Sequence, residues 1–582
     1  MKVKNSLKVR CSKSSLVAAL LFGLIALAPS LQAQTLNISG STYTLDGSNP
    51  LSGYADVTFS GGGILQYTAA DLTDYAALFA NNGGGNTPIW IDTNSQNVIF
   101  NNAFGVNNNS GFTKDGLGTL TINADNGNVL SAGRITVNAG TLVMGNGGAI
   151  GYPFGGLTVN TSGTLDVNGV GNVYIKDNGL TGGGTIINNS SSSDSTLNLW
   201  TGAGWTTTFS GSLQNGATKK LTLQVGGFLG ADSSAIATLN MAGVSTVFDF
   251  NLNQNGAINV TGTVNVMDYI NLGNNGPGTL TVNGGLVTVA QQLILGHNGV
   301  GTLNLTNGGV MSSNLINFGG GRVSYINLDS GGAYCGRIYG MSDGNAADGT
   351  VITMTNGGTW SPKYQGGADA WIDTDTHTSL QIGSGGGIID LRGGLANLVC
   401  PITDVAGQSG ALTIQSTPAN SWGWNSVQSI SGTNTYSGGT TLKNVAVTVN
   451  STSPFGTGAL NITQGSWIHL NNKSITVGGL LGDSTGVIAN SSAGTAVLTV
   501  DMATSGTYAG HLYNEGGSGS ANKLALVKTG SGTLTLTNND SNYSGGTTIN
   551  GGVLQMSGNS DAISHPSHET RQRGREPLNY RA

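Results

Sequence analysis

A short motif returns along this chain at intervals of just over twenty residues. The triplet Gly-Thr-Leu begins at Gly118, Gly140 and Gly163, and the variant Gly-Thr-Ile begins at Gly184, so the steps are 22, 23 and 21 residues. Self-similarity at a fixed period of about 20–50 residues indicates a repeat architecture, in which one supersecondary unit is copied along the chain. We therefore expect a stack of similar units instead of ordinary globular domains.

Each copy of the triplet opens a stretch that alternates in polarity. After Gly278, residues 279–282 read Thr-Leu-Thr-Val, and the triplet returns 23 residues later at Gly301. Alternation of Leu, Ile or Val with Thr indicates a β-strand that has one buried face. Between these strands stand Gly, Asn and Ser, which favour tight turns. The repeated unit is thus a set of short strands joined by turns.

Such a unit cannot bury its apolar face alone, so it must stack on its neighbours. Stacking is simplest when each repeat winds into one coil and its strands pair in parallel with those of the next coil. The sequence therefore predicts an all-β fold, a parallel β-helix with coils of about 22 residues. A β-propeller is the main rival, but its blades need about 40–50 residues with their own signatures.

Composition excludes several other classes of protein. The chain has 96 glycines but only 11 prolines, and glycine does not occupy every third position, so it is not collagen. A hydrophobic content of 38% with a net charge of −6 argues against disorder. Only 22 residues are Lys or Arg, which argues against nucleic acid as a partner, because that affinity rests on phosphate neutralisation. The sequence has no motif for a cofactor, so none is expected.

Residues 1–33 are typical of a signal peptide. A basic start, from Lys2 onward, precedes an apolar run from Leu16 to Ala28, and Ala33 ends a cleavage site. The run has 13 residues, fewer than the roughly 20 that a membrane-spanning helix needs. We expect cleavage after Ala33, an exported mature chain from Gln34 and no transmembrane segment within it. An uncleaved N-terminal anchor is the alternative.

A more specific pattern stands near the C-terminal end. Residues 526–536 read Leu-Val-Lys-Thr-Gly-Ser-Gly-Thr-Leu-Thr-Leu, and residues 542–554 read Asn-Tyr-Ser-Gly-Gly-Thr-Thr-Ile-Asn-Gly-Gly-Val-Leu. Residues 432–441 contain a second copy of the latter segment, and residues 114–122 contain a divergent copy of the former. This pattern resembles the autotransporter-associated β-strand repeat.

The resemblance covers most of the chain from about residue 95 to 558, and residues 209–213 and 508–512 are similar to the element that precedes such repeats. It implies that residues 34–558 form a right-handed β-helical passenger, exported by or displayed on a Gram-negative-type bacterium. The family ends in a translocating β-barrel, whereas residues 559–582 are a short charged tail that we expect to be disordered. The export partner stays open, and a truncated gene product is a further interpretation.

One candidate for chemistry is an acidic cluster. Asp373, Asp375 and His377 alternate along the chain, so their side chains would project from one face of a strand. Polysaccharide lyases and hydrolases built on β-helices need clustered carboxylates as acid, base or calcium ligands. Residues 90–93 repeat the start of this segment, Trp-Ile-Asp-Thr, without the second acid or the histidine. That duplication favours a structural role for the cluster.

A candidate for sugar stacking is the pair Trp422 and Trp424, which flank one glycine and would share a strand face. The alternative is that both indoles pack inside a wide coil. Cys335 and Cys400 either form one disulfide or remain as buried thiols, because sequence does not give their separation.

These observations favour a secreted or surface-displayed structural protein of the adhesin kind over an enzyme. A stiff rod with long polar faces would present repeated weak contacts to extracellular glycans, surfaces or other cells. This function rests on analogy with the family. The alternative is an extracellular polysaccharide-degrading enzyme on the same scaffold, which would need three or more acidic or basic residues converging on adjacent coils.

Overall fold

The chain folds into a parallel β-solenoid. In the computed structural model, short strands wind into about 20 stacked coils, and the strands of successive coils pair in parallel. The predicted all-β parallel β-helix is thus confirmed. The structure describes residues 34–557 and the strand Leu578–Arg581, except for residues 81–87, 106–110, 128–129, 131–132, 201–203, 228–234, 319–321, 340–348, 363–370, 373–377, 418–425 and 517–519.

A full coil contributes three strands in turn, so the solenoid has three faces. The first face, which includes the separate C-terminal sheet, consists of Thr42–Leu45, Ile64–Tyr67, Ile89–Asp92, Phe112–Asp115, Leu180–Thr181, Trp205–Phe209, Ala237–Met241, Gly256–Val260, Gly278–Asn283, Gly301–Thr306, Val323–Leu328, Gly349–Met354, Thr378–Ile382, Ile402–Asp404, Ile475–Val477, Gly494–Asp501, Asn522–Thr529 and Thr547–Ile549.

The second face begins at Asn97 and the third face at Gly171. The second face consists of Asn97–Phe100, Thr119–Ile122, Thr185–Asn188, Ser212–Asn215, Val244–Val247, Thr263–Val266, Leu286–Val289, Gly358–Ser361, Gly387–Asp390, Leu412–Gln415, Thr440–Lys443, Ala459–Thr463, Gly479–Gly482, Gly506–Tyr508, Thr533–Leu536 and Val553–Met556. The third face consists of Gly171–Ile175, Ser195–Leu199, Leu221–Val225, Phe250–Leu252, Tyr269–Leu272, Gln292–Leu295, Trp371–Ile372, Leu395–Leu398, Ser426–Ile430, Ala446–Val449, Trp467–His469, Val487–Asn490 and His511–Asn514.

Four longer strands run through a corner of the coil. Ile135–Met144 and Leu157–Asp166 pass from the first face to the second, and Val310–Phe318 and Ala333–Tyr339 pass from the second to the third. At the N-terminal end Thr35–Ser39 pairs with Asp56–Ser60. The remaining described elements are the 3-10 turns Leu51–Gly53 and Ala76–Leu78, and Leu578–Arg581, which pairs antiparallel with Val553–Met556.

The Gly-Thr-Leu triplets mark successive coils, as the sequence predicts. On the second face their threonines are in-register partners, in the order Thr119, Thr141, Thr164 and Thr185. On the first face Gly278 pairs with Gly301. Elsewhere the coil length changes, from 19 residues between Asn240 and Asn259 to 32 between Thr208 and Asn240. Turns absorb these differences, so the strands stay in register although the period is lost from the sequence.

Glycine begins the triplet because adjacent coils approach closely at that corner. A Cβ atom on Gly118 would collide with the backbone of Gln96, and one on Gly140 would collide with the backbone of Gly118. Gly140 also has a φ of +65°, in the left-handed region that favours glycine. The close approach of the coils therefore explains the most regular feature of the sequence.

The core lies inside the coils and is a set of aliphatic columns. One column of the first face contains Leu239, Ile258, Leu280, Leu303 and Ile326, which are register partners and at most 1% exposed. Full burial of such a side chain stabilises the fold by about 1.5–3 kcal/mol. The columns run through the stack, so each coil is stabilised mainly by the coils next to it.

Phenyl rings take the place of aliphatic columns near the N-terminal end. The ring centroids of Phe79 and Phe100 lie 5.8 Å apart, and Phe104 lies 5.6 Å from Phe79 and 5.6 Å from Phe112. Rings at these distances and in edge-to-face or tilted arrangements attract each other beyond the area that they bury.

Of the two alternatives for the cysteines, the structure has free thiols. Cys335 is partly buried and Cys400 is buried, and burial raises the pKa of the Cys400 thiol to about 12. Among the residues described above, none of the helical segments has the length and apolar character to span a bilayer.

Candidate binding surface

The site residues predicted from the sequence fall in segments outside the described residues. They are Ala33, Asp373, Asp375, His377, Trp422 and Trp424. Each of these assignments therefore stays a prediction, and the candidate surface is built from other parts of the solenoid.

A ladder of amide and hydroxyl side chains covers the first face. The Asn259 amide nitrogen donates to the Asn240 side-chain oxygen at 3.0 Å, and Asn240 donates to Thr208 at 3.3 Å. Further along, Asn327 donates to Asn304 at 2.8 Å. We call the whole outward column the amide ladder; its register partners are Thr208, Asn240, Asn259, Thr281, Asn304, Asn327, Thr353, Gln381 and Thr403.

A second outward column runs beside the amide ladder, two residues earlier in each strand. It contains Thr206, Thr238, Ala257, Thr279, Thr302, Tyr325, Val351 and Ser379. Neither column contains a charged residue, and their members recur once per coil, about every 4.8 Å. Because amides and hydroxyls both donate and accept hydrogen bonds, the amide ladder offers a similar polar contact on each of its coils.

An aromatic cluster surrounds one lysine on coils nearer the N-terminal end. The Lys176 Nζ atom lies 4.5 Å from the ring centroid of Phe154, 5.0 Å from that of Trp200 and 5.3 Å from that of Tyr152. Tyr174 links the rings, with its centroid 4.9 Å from that of Trp200 and 5.8 Å from that of Tyr152. We call these five residues the Lys176 cluster.

Imidazole and carboxylate groups meet on the third face near the C-terminal end. His469 Nδ1 lies 3.2 Å from a Glu515 carboxylate oxygen, and the His469 ring lies 5.6 Å from the Trp467 ring. Two coils further on, His511 Nδ1 lies 2.8 Å from the Tyr513 hydroxyl. Between these pairs, Val487 and Ala489 are the register partners. We call His469, His511, Tyr513, Glu515 and Trp467 the imidazole patch.

The imidazole patch concentrates groups that are scarce in this chain, which has 6 histidines in all. Histidine and glutamate can exchange protons near neutral pH or bind metals. Within the described ranges, however, no three His, Cys, Asp or Glu side chains lie close enough together to hold a metal ion.

A buried lysine lies at the same corner of the coil in two copies of the repeat pattern, residues 114–122 and residues 526–536. Lys114 is fully buried, and its Nζ donates to the carbonyl oxygens of Asp115 at 2.9 Å, Gly116 at 2.6 Å and Ala139, on the next coil, at 2.8 Å. Burial lowers the pKa of the Lys114 amine to about 8. The lysine is therefore a structural clip between coils and not a surface charge.

Lys528 makes the equivalent contacts in the C-terminal repeat. It is fully buried, and its Nζ donates to the carbonyl oxygens of Thr529, of Gly530 at 3.1 Å and of Gly551, on the next coil, at 3.3 Å. Burial lowers the pKa of this amine as well. The same local sequence, Lys-x-Gly-x-Gly-Thr-Leu, thus builds the same corner twice.

A buried tyrosine marks the second half of the same repeats. The Tyr436 hydroxyl lies 2.5 Å from the Thr440 hydroxyl, and the Tyr543 hydroxyl lies 2.7 Å from that of Thr547. Each pair comes from one Tyr-Ser-Gly-Gly-Thr segment. Burial raises the pKa of both tyrosines above the usual range.

Sequence reasoning missed the Lys176 cluster and the imidazole patch. A signal for the first was present, because Tyr152, Tyr174 and Trp200 stand about one coil apart and aromatic residues make up only 6% of the chain. For the second, the two histidines and the glutamate lie on coils whose lengths differ, so the sequence gives no regular spacing by which to group them.

Comparison with known proteins identifies the repeats. A family model described as passenger-associated-transport-repeat matches residues 112–144, 427–444 and 526–556. The first and third segments contain the buried lysine clips, and the second contains Tyr436 and Thr440. The chain is also 36% identical over 131 residues to the adhesin BmaC autotransporter of Brucella suis, a match that covers 21% of this chain but 4% of the adhesin.

No solved structure matches the chain. The matched repeats, the autotransporter adhesin relative and the β-solenoid agree with one another, and residues that carry the repeat pattern are those that clip adjacent coils together. Three segments of the chain thus match passenger-associated-transport repeats, and the chain as a whole is similar to the passenger of an autotransporter.

Proposed function

We propose that this protein is exported and displayed at, or released from, the bacterial surface, where it acts as an adhesin that contacts glycans, surfaces or other cells. The matched repeats and the adhesin relative support a surface adhesin-like role. The observation that carries the finer proposal is the amide ladder, which runs over nine in-register strands of the first face.

The ladder would bind through repetition. A single amide or hydroxyl contact at the surface contributes little, because each replaces a hydrogen bond to water. When many identical contacts sit on one rigid face, the later ones form intramolecularly, and the avidity of the face can exceed that of one contact by about 10²–10⁴. The stacked coils keep the contacts in place, so little entropy is lost on binding.

The test compares the first face with the other two faces of the same coils. The purified mature chain is applied to a glycan array and to cell monolayers, together with two fourfold alanine variants. The first variant changes ladder residues Asn240, Asn259, Asn304 and Asn327. The control changes outward residues on the other two faces, where Asn271 donates to Asn251 at 2.6 Å and Thr288 donates to Asn265 at 2.6 Å.

We expect the ladder variant to lose at least about tenfold in apparent affinity, since avidity multiplies small losses. The control variant should bind as the unchanged chain does. Equal binding by both variants would show that the amide ladder is not the binding surface. Failure of the unchanged chain to bind any glycan, surface or cell would overturn the adhesin proposal.

One observation favours the alternative function. In the imidazole patch His469 Nδ1 lies 3.2 Å from a Glu515 carboxylate oxygen, and such a pair of acid and base groups is part of what a polysaccharide-degrading enzyme needs. The measurement is the release of new reducing ends or unsaturated products from polysaccharides. Turnover that disappears in His469→Ala would establish the enzyme, and no turnover on a broad polysaccharide panel would leave adhesion as the function.

A further inference from the structure

The Lys176 cluster groups four aromatic rings around one lysine, and two of these rings are exposed on the surface of the solenoid. Tyr152 is 38% exposed and Phe154 is 41% exposed, although aliphatic neighbours such as Leu157 and Ile175 are fully buried. Exposed apolar patches on a soluble surface commonly mark sites of interaction, because leaving them in water is unfavourable. The rings come from three successive coils, so the solenoid itself fixes their spacing.

The ammonium group gives this cluster its chemistry. Three ring centroids lie within 5.3 Å of Lys176 Nζ, a distance at which the ring quadrupoles attract a cation. The rings thereby hold a long, flexible side chain in one place. Within the segments that the structure covers, Lys176 forms no ion pair with a carboxylate. Its positive charge is therefore oriented but not neutralised.

A ligand that satisfies both features must have an apolar face and a negative charge. The C–H face of a pyranose ring can pack on the exposed rings of Tyr152 and Phe154, and a carboxylate on the same sugar can accept a hydrogen bond from Lys176 Nζ. A charge-assisted hydrogen bond of this kind is roughly twice as strong as a neutral one. A neutral sugar would use only the rings, and a small carboxylate such as acetate only the ammonium.

We infer that the Lys176 cluster is a binding subsite for an acidic sugar residue, a hexuronate within an extracellular polysaccharide. This inference rests on the proposed adhesin function and names one class of glycan for it. The chain as a whole has a net charge of −6, so it lacks the broad positive field that attracts polyanions indiscriminately. Recognition is therefore local, with one charge and a few rings per site.

The test uses the full mature chain and isothermal titration at low ionic strength. Hexagalacturonate is the probe, maltohexaose is the neutral control, and acetate at the same carboxylate concentration is the control for charge alone. We expect binding of hexagalacturonate only, and weaker binding as salt screens the ion pair. Lys176→Gln should lose at least about tenfold in affinity, the usual cost of a lost hydrogen bond to a charged group. The Lys176→Arg variant should keep most of the affinity for hexagalacturonate.

Two further variants separate this inference from other outcomes. Phe154→Ala removes one exposed ring but no core side chain, and it should also weaken the binding of hexagalacturonate. If Lys176→Gln perturbs the fold, the affinity of the Phe154→Ala variant tests the subsite instead. Lys473→Gln removes an exposed lysine elsewhere on the solenoid and should change nothing. Equal affinity for maltohexaose, or binding that is unchanged in Lys176→Gln and Phe154→Ala, would overturn the subsite. Adhesion that persists and depends on the amide ladder would then leave the proposed function intact.

Discussion

At the residue scale, the repeat motif of this chain encodes contacts inside the coil corners. Lys114 and Lys528 stand at the same place in two repeats, and each donates to two nearby carbonyl groups and one on the next coil. A lysine in an extracellular protein is usually read as a surface charge. Here the buried ammonium group donates to backbone carbonyl oxygens of two successive coils and so links them.

Replacing Lys528 should destabilise the two coils that its ammonium group links. Lys528→Met keeps most of the side-chain volume but removes the lysine's hydrogen bonds to the carbonyl oxygens of Gly530 and Gly551, at a cost of about 1–3 kcal/mol. The effect should appear as faster amide hydrogen exchange in strands Asn522–Thr529 and Thr547–Ile549. Lys473→Met, at an exposed position, is the control. Unchanged exchange in the Lys528 variant would show that the clip does not stabilise the corner.

Buried tyrosines make the fold sensitive to alkali. Burial raises the pKa of Tyr436 and of Tyr543, so the folded chain keeps these protons at a pH where the unfolded chain, with a pKa of about 10, has lost them. The stability that they contribute is complete below about pH 10 and falls as pH rises above it. Tyrosinate absorbance should therefore rise late, together with unfolding.

The double variant Tyr436→Phe and Tyr543→Phe should lose part of that alkaline sensitivity, although it is less stable at neutral pH because two hydrogen bonds are gone. Tyr325→Phe, which changes a phenol that is 41% exposed, is the matched control and should leave the alkaline transition in place. An alkaline transition that is the same in the double variant and the control would contradict this assignment.

At the element scale, one triplet glycine, Gly140, meets two separate requirements. Gly140 has a positive φ and also faces the backbone of Gly118, whereas Gly308 has a positive φ of +75° but open space where a Cβ would stand. Gly140→Ala should therefore destabilise its coil by more than the cost of backbone strain, which is about 1–3 kcal/mol. Gly308→Ala should show the strain alone. Local hydrogen exchange measures both, and equal effects would mean that close coil approach does not select the glycine.

The individual strands could be predicted from the sequence, but the outward surfaces that strands of successive coils form together could not. Alternation of Thr with Leu, Ile and Val gives strand, face and register wherever the coil length is near 22, as from Thr119 to Thr185. The amide ladder crosses coils offset by 32 and 19 residues, so Thr208, Asn240 and Asn259 come together only once the turns are known. The Lys176 cluster was missed for a related reason, since three of its four rings stand between strands.

At the scale of the whole molecule, the solenoid is a sum of nearest-neighbour interfaces. Each coil packs on the one before and the one after, so stability is local and the molecule is expected to open in blocks instead of in one transition. The same architecture gives the proposed function its form, because every coil adds one more row to an outward face. Rigidity and repetition have a single cause, the regular stacking of short apolar strands.

Small-angle X-ray scattering of residues 34–582 tests that stacking most directly. About 20 coils at about 4.8 Å each should give a rod about 100 Å long. The account predicts a scattering curve with a rod-like cross-section region and a longest dimension close to that length. A compact particle with a radius of gyration near about 24 Å, the value for a globular protein of this size, would contradict it.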